Sequence, residues 1–471
     1  MSKTGWFRPA GVFEQFMYEL YRDHGLVISY VLRVATAREI TGDDVKEVFT
    51  HLFRKTINLR MVPEERDGEL WLRELQREDI DFQTVEDADV NAVYHDMGQY
   101  RFNPDGPMWA GRFLPRAPKQ DEFITSTTME NTDEKLKKLP YVSHVLMTFH
   151  HSIADGFTCL RITRHFLMLL DDVLAGKPID DSEQYAQMID IKKQTTVLEG
   201  VERTLKADPD LLEARLQSLV DSVPDALLSK VYPQPSKRTP RTVSLPHILD
   251  SNTTAKFTAR CKKEGITFHT GFCSVMDASI VKTLQERNLM QETYRIAGHH
   301  AIDQRCYFND VENAYGIGMG IVDVTYDVPK DVMENFWSHA KKYHTKFKDQ
   351  QNRKTSIEHP VIEKLTGQNP FFLIDSEGLD SPPPKIGTYG TTNMRDVTKF
   401  IGKCGDNVDL IYYDRFTSVQ ELYFNWCSTI QTFNGQLMHS MQYNTQYIEE
   451  SLAKKIAQST FQILREVVDK P

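Results

Sequence analysis

The sequence predicts an α/β protein of two packed halves, and three observations lead to that architecture. The chain has 471 residues, roughly three times the length of an ordinary domain, so a single small fold is excluded. Around residues 141–176 a strand-like run passes directly into a helical stripe, the unit from which mixed sheets are built. Between about 180 and 242 the pattern turns ragged and proline-broken, with Pro224, Pro233, Pro235 and Pro240, before a second α/β stretch begins. The expected division is a first half at 1–185, a helical, proline-rich connection at 186–242, and a second half at 243–471.

The elements follow from local pattern. Leu26 to Val34 is rich in Val, Ile and Tyr and reads as a strand. Thr41 with an acidic Asp43-Asp44 turn starts a helix whose Val45, Val48, Phe49, Leu52 and Phe53 fall on one face. Asp67-Gly68 is a hairpin turn between short strands, the second carrying Leu70, Trp71 and Leu72. Tyr141 to His151 has apolar residues on both faces, which predicts a strand covered on both sides. After it, Leu160, Ile162, Phe166, Leu167, Leu170 and Val173 form a helical stripe ending at Gly176, a C-terminal cap glycine. The second half restarts with a helix near Thr253 and a longer one reaching about Glu286. Strands follow at Tyr294 to Ala297 and Ile321 to Tyr326. Leu452, Ile456, Phe461, Leu464 and Val467 make the last segment a packed helix.

Composition excludes several functions. Lysine and arginine number 56 against 66 acidic residues, a net charge of −10, so phosphate backbones and anionic lipid surfaces are not the main partners. No apolar run approaches the roughly 18 residues of a membrane span, and residues 1–7 lack the apolar core of a signal peptide. A cytoplasmic protein with no membrane span is expected. The six cysteines, with no CxxC pair, read as reduced and mostly buried thiols.

The segment His150-His151-Ser152-Ile153-Ala154-Asp155-Gly156 carries the chemistry. Alternation along a strand turns only one of the two histidines toward a given cavity. A neutral imidazole can take a proton from a hydroxyl or amine attacking a carbonyl. Gly156, without a Cβ, permits close backbone approach and a positive-φ turn. Spacing makes His151 and Asp155 look like base and orienter of a triad, yet no GxSxG elbow or histidine-partnered cysteine supplies a nucleophile. Direct transfer requires fewer residues than a covalent route.

The string HHSIADGFT, on a strand leading into an apolar helix, resembles the HHxxxDG motif of the CoA-dependent acyltransferase superfamily. That superfamily contains alcohol O-acetyltransferases, plant BAHD acyltransferases, polyketide-associated acyltransferases and nonribosomal peptide condensation domains. The likeness extends, in family order, to Arg8-Pro9-Ala10-Gly11-Val12-Phe13-Glu14, Gly106-Pro107-Met108-Trp109, Lys262-Lys263-Glu264-Gly265-Ile266-Thr267, Ala301-Ile302-Asp303-Gln304-Arg305 and Phe433-Asn434-Gly435-Gln436-Leu437. It implies two chloramphenicol-acetyltransferase-like subdomains, each a mixed sheet with helices, and an active-site tunnel between them. It further implies His151 as general base, with Asp155 turned away from the reaction centre and paired with Arg305. His150 would sit behind the strand; with Ser376 and Gly378 it is also a candidate substrate contact. The Gly156 N–H and the Ser376 hydroxyl are candidate oxyanion donors. Phe372 to Gly378 resembles the S-N-x-G element of the acetyltransferase and condensation branches, whereas the DFGWG of BAHD enzymes is absent.

The resemblance implies acyl-CoA as co-substrate, no permanently bound cofactor, and an alcohol or amine as acceptor, with ester formation favoured because no carrier or adenylation domain is present. A carrier-protein-dependent amide-forming enzyme and a non-catalytic acyl- or lipid-binding tunnel remain open alternatives. Lys262 and Lys263 are candidate contacts for CoA phosphates, the solvated end of a helix being the plainer reading. Gly316-Ile317-Gly318-Met319-Gly320 reads as a glycine-rich turn before a strand, since no Rossmann unit precedes it. His299-His300 beside His150-His151 makes a poor ligand set, and no metal, no nucleic acid and a monomeric chain are expected.

Overall fold

The computed structural model describes residues 5–115, 129–220, 227–232, 241–309, 314–367, 388–418 and 424–470. Fourteen strands lie among them: β1 (Trp6–Pro9), β2 (Val27–Thr36), β3 (Met61–Arg66), β4 (Glu69–Glu74), β5 (Asp81–Thr84), β6 (Trp109–Leu114), β7 (Tyr141–His150), β8 (Thr242–Leu249), β9 (Thr293–Asp303), β10 (Met319–Pro329), β11 (Tyr389–Asp396), β12 (Val408–Thr417), β13 (Trp426–Phe433) and β14 (Gln436–Asn444). They form two main sheets and a small antiparallel one, β1-β4-β3. The five-stranded sheet of the first lobe has the order β12-β2-β7-β6-β5; that of the second lobe is β10-β9-β11-β13-β14-β8. Both are mixed, with parallel pairs at β5/β6, β9/β11 and β11/β13. The α/β fold class of two sheet-and-helix lobes is thus what the chain adopts.

Local chemistry explains the placement of elements. Thr41 caps the helix Gly42–Lys55 by accepting from the Asp44 N–H, while the Asp44 carboxylate accepts from the Thr41 N–H, a reciprocal capping box. Asp67 and Gly68 both take positive φ, 53° and 84°, the backbone a two-residue hairpin between β3 and β4 requires. From Ser143 onward β7 is buried throughout, because β2 and β6 flank it and helices cover both faces. It passes into the helix Gly156–Leu174, after which Gly176 has φ 64°. The segment 186–242 supplies the helices Ile191–Ala207 and Pro209–Val220 and a short turn of helix, Leu227–Val231. Leu198 and Leu205 of the first of these bury against Phe13, Met17 and Leu20 of the helix Val12–His24.

One strand crosses from the second half of the chain into the sheet of the first lobe. β12 leaves the second half of the chain and pairs antiparallel with β2, Arg415 opposite Tyr30, completing the sheet of the first lobe. The pattern of residues 408–417 contains no signal of this return, since strand pairing across hundreds of residues leaves no local trace. β9 and β10 also run well past the sequence-predicted strands, each by several residues.

Several imidazoles are largely buried. Burial pushes the pKa of His144, His150 and His439 down to about 3, and that of His165 and His269 to about 4. The unfolded chain therefore binds more protons than the folded one below the ordinary histidine range. Stability should fall as pH drops from about 6.5 toward 4, by about 1.4 kcal/mol per pH unit for each ring. Urea midpoints measured between neutral pH and pH 5 read this directly, and an unchanged midpoint would show that the rings are open to solvent.

Candidate active site

The turn between β7 and the helix Gly156–Leu174 holds the two histidines on opposite sides. His151 lines a cavity of about 680 Å³ between the lobes and is 8% exposed. His150 is not among the lining residues. Its ring lies 4.1 Å from that of Tyr21 and 5.8 Å from that of Phe102. Its Nδ1 accepts from the Ser152 N–H at 3.1 Å and lies 2.7 Å from the Ser152 hydroxyl. The ring therefore lies on the side of the strand away from the cavity lining. Strand alternation is the cause.

His151 presents Nε2 to the cavity, for its Nδ1 is buried and makes no well-formed hydrogen bond. Burial lowers the His151 pKa, opposed by its own carbonyl, by the charge of Asp155 and by the Ala154 carbonyl. The ring is therefore neutral at pH 7, with Nε2 available as a base once the proton sits on Nδ1.

Asp155 is fully committed elsewhere. Its Oδ1 accepts from the Thr158 N–H at 2.8 Å, capping the helix that begins at Gly156. Oδ2 accepts from the Gly318 N–H at 2.9 Å. Arg305 donates to both oxygens, Nη1 to Oδ2 at 2.9 Å and Nη2 to Oδ1 at 3.1 Å. Four bonds fill the carboxylate, so none is left to orient the imidazole. Burial raises the Asp155 pKa, but Arg305, Thr158 and Gly318 outweigh it and the net shift is downward.

Arg305 is equally saturated. Beyond Asp155 it donates to Asp303 Oδ1, Thr158 Oγ1 and the carbonyls of Ala314 and Gly316. The glycines of Gly316-Ile317-Gly318-Met319-Gly320 have their reason here. A Cβ at Gly318 would stand 2.7 Å from Arg305 Nη1, and one at Gly320 would stand 1.8 Å from Gln304 Nε2. The segment leads into β10, a glycine-rich run before a strand.

Gly156 corrects one expectation. It is the first residue of its helix and takes no positive φ; a Cβ there would lie 3.0 Å from Met394 Sδ. Close approach, not a left-handed turn, is what glycine supplies at this position. Lys262 and Lys263 end the helix Ser251–Lys263, exposed and outside the cavity lining, although Thr258 and Thr267 on either side of them line it. Ser376 and Gly378 lie outside the described residues.

Both lobes line the cavity, the second with apolar as well as polar groups, Phe268, Ile302, Ile321 and Phe347 among them. Phe16, Met17, Leu20, Leu26 and Ile28 of the first lobe give it an apolar side. From the second lobe come Thr391, Thr392, Asn393, Gln431 and Thr432, with His269 and His299. Neighbouring His299 and His300 repeat the alternation of the motif: His299 faces the cavity and bonds Asp323 through Nδ1, while His300 turns into the core. There His269 Nε2, Cys273 Sγ and His300 Nδ1 lie within 4.8 Å of one another, with His300 also meeting Thr391 and Tyr343. Sequence reasoning did not assemble these groups, nor did it find Arg415, which lines the cavity from β12. Its only sequence signal is an arginine inside an apolar strand run.

No protein-family model matches the chain, and no curated protein matches it by sequence. Solved structures share its fold over nearly their whole length. Trichothecene 15-O-acetyltransferase from Fusarium sporotrichioides superposes with a TM-score of 0.64 at 13% identity, over 97% of this chain and 95% of that one. The condensation domain of the monacolin K polyketide synthase gives 0.66 at 10% identity, over 98% of each chain. The epimerization domain of the third module of tyrocidine synthetase B gives 0.61 at 14% identity, over 99% of each. The chain has the two-lobed fold these acyltransferase and condensation-type proteins share. Among the described residues no helix is long and apolar enough to cross a membrane.

The saturated Asp155–Arg305 pair makes a specific demand on stability. Arg305→Leu should cost about 3–5 kcal/mol, because Asp155 then stays buried without its counter-charge, and Asp155→Asn less, because Arg305 keeps the Asp303 carboxylate at 3.1 Å. Thermal melts check this. Loss of activity with an unchanged melting temperature in both variants would place the pair in the chemistry instead.

Proposed function

We propose that this chain, built on the acyltransferase and condensation-domain fold, is an acyltransferase that moves an acyl group from a CoA thioester to an alcohol by direct transfer. The observation that carries the reading is His151, a neutral imidazole with Nε2 toward an interlobe cavity and its neighbouring acid fully engaged by Arg305. His151 Nε2 takes the proton of the acceptor hydroxyl as its oxygen forms the bond to the thioester carbonyl carbon. The carbon–sulfur bond then breaks, and the imidazolium returns the proton to the departing thiolate, giving ester and free thiol. A thiol with an ordinary pKa near 8.5 leaves far more readily than an alkoxide, so one base serves both proton transfers. The Gly156 N–H, in the first turn of its helix with no intrahelical acceptor, supports a role in holding the tetrahedral oxyanion.

The likeness to a condensation domain favours one second reading, an enzyme that takes its acyl group from a carrier-protein thioester and forms an amide. Pairing acyl-CoA and acyl-pantetheinyl carrier donors with alcohols and amines separates the two.

With a competent donor and acceptor, His151→Ala should lower kcat by roughly 10² to 10⁴ while the melting temperature is kept, the usual worth of a general base. An unchanged rate removes His151 from the chemistry. Because burial lowers the His151 pKa, the base stays deprotonated into mildly acid solution. The acid limb of kcat/KM, on which activity rises with pH, should therefore lie below the ordinary histidine value near 6.5. A limb above that value would contradict the assignment.

A further inference from the structure

Arg415 is a buried cation with no carboxylate in ion-pair contact among the described residues. It is 4% exposed and stands where the sheets of the two lobes approach, leaving β12 toward β11 and β13. Its partners are all neutral: Nε donates to Gln431 Oε1 at 2.8 Å, Nη1 to Thr392 Oγ1 at 3.3 Å, and Nη2 to the carbonyls of Thr392 and Ile430 at 3.1 and 3.3 Å. Gln431 is held in that orientation because its Nε2 donates to the Tyr413 carbonyl.

A guanidinium has five N–H donors, and these bonds use four. The spare hydrogen is on Nη1, the nitrogen 4.0 Å from where a Gly156 Cβ would stand. It thus faces the start of the helix that follows His151, and Arg415 itself lines the cavity. The acid next to it in sequence does not serve it. Asp414 points across the strand to accept from the Ser440 hydroxyl at 2.8 Å. Burial raises the Asp414 pKa to about 6, although Ser440 and Arg415 hold it down. Among the described residues, no carboxylate lies within ion-pair distance of the Arg415 guanidinium.

Burying a cation without a counter-ion is costly, and a protein that meets this cost at the wall of a cavity has a ligand to supply the missing charge. We propose that Arg415 anchors a carboxylate carried by the substrate. The carboxylate would meet the spare Nη1 hydrogen, with its hydrocarbon part along the apolar lining, Phe16, Met17, Leu20, Leu26 and Ile28 among it. This rests on the acyltransferase reading for the word substrate, but the binding it describes does not.

The test uses the full chain and begins without turnover. Calorimetric titration with octanoate and with octanamide, its neutral isostere, should show the acid binding at least about tenfold more tightly, a difference of about 1.4 kcal/mol. Arg415→Gln should abolish that preference, and Arg415→Lys, which keeps the charge but not the fork, should retain part of it. Equal binding of acid and amide by the unaltered protein, which requires no variant to fold, overturns the proposal. Turnover then locates the source of the carboxylate. Comparing 8-hydroxyoctanoate with 1-octanol tests the acceptor side, and comparing succinyl-CoA with butyryl-CoA tests the donor side. On the side that carries the acid, Arg415→Gln should reduce the acid-to-neutral ratio of kcat/KM about tenfold through KM. An equal fall in kcat for charged and neutral substrates would make Arg415 an oxyanion donor and overturn the anchor. Absence of thiol release with every donor would sink the transfer reading and leave the octanoate result to decide this one.

Discussion

Asp155 and Arg305 bring opposite charges together from the two lobes in a place almost closed to water, where the Asp155 charge is tolerable only because Arg305 is present. Much of the local architecture follows from satisfying them. Asp155 caps the helix after the histidine pair, and Arg305 gathers the carbonyls of Ala314 and Gly316. The Gly318 N–H closes the same carboxylate from the second lobe. The turn of one lobe and the glycine-rich run of the other are therefore completed by each other. Neither could hold its buried polar groups in this form alone.

That arrangement frees His151. A carboxylate with four bonds already made cannot hold an imidazole, so the ring stays neutral through burial, against the pull of the His151 and Ala154 carbonyls, and its far nitrogen is left to the cavity. Asp155 still acts on the ring through its charge, in opposition to burial. The period-two alternation of a strand does the rest, sending His150 among aromatic rings and His151 to the cavity wall. The same rule sorts His299 and His300 on β9.

Both lobes wall the cavity. Helix and strand residues of the first lobe present methyl and phenyl groups, and the second adds hydroxyls and amides beside apolar residues such as Ile302, Ile321 and Phe347. β12 belongs to both: by sequence it is part of the second half, by hydrogen bonding it is the edge of the first sheet. Its Arg415 is gripped by β11 and β13 and so spans the junction at the point nearest the turn.

By itself, the sequence determined whatever depends on neighbours within a few residues. The Thr41 capping box, the Asp67-Gly68 hairpin, the twice-covered strand before His151 and the packed last helix were all readable because capping, positive φ and amphipathic period are short-range constraints. The pairing of Asp155 with Arg305 was readable only through resemblance, since 150 positions separate the two. Tertiary structure alone decided the return of β12, the meeting of His269, Cys273 and His300, and the neutral hydrogen-bond partners of Arg415 among the described residues. Each of these is a matter of which distant backbone or side chain arrives beside a given atom, and burial, the quantity that turns an ordinary ionisable group into an unusual one, exists only once the chain has closed around it.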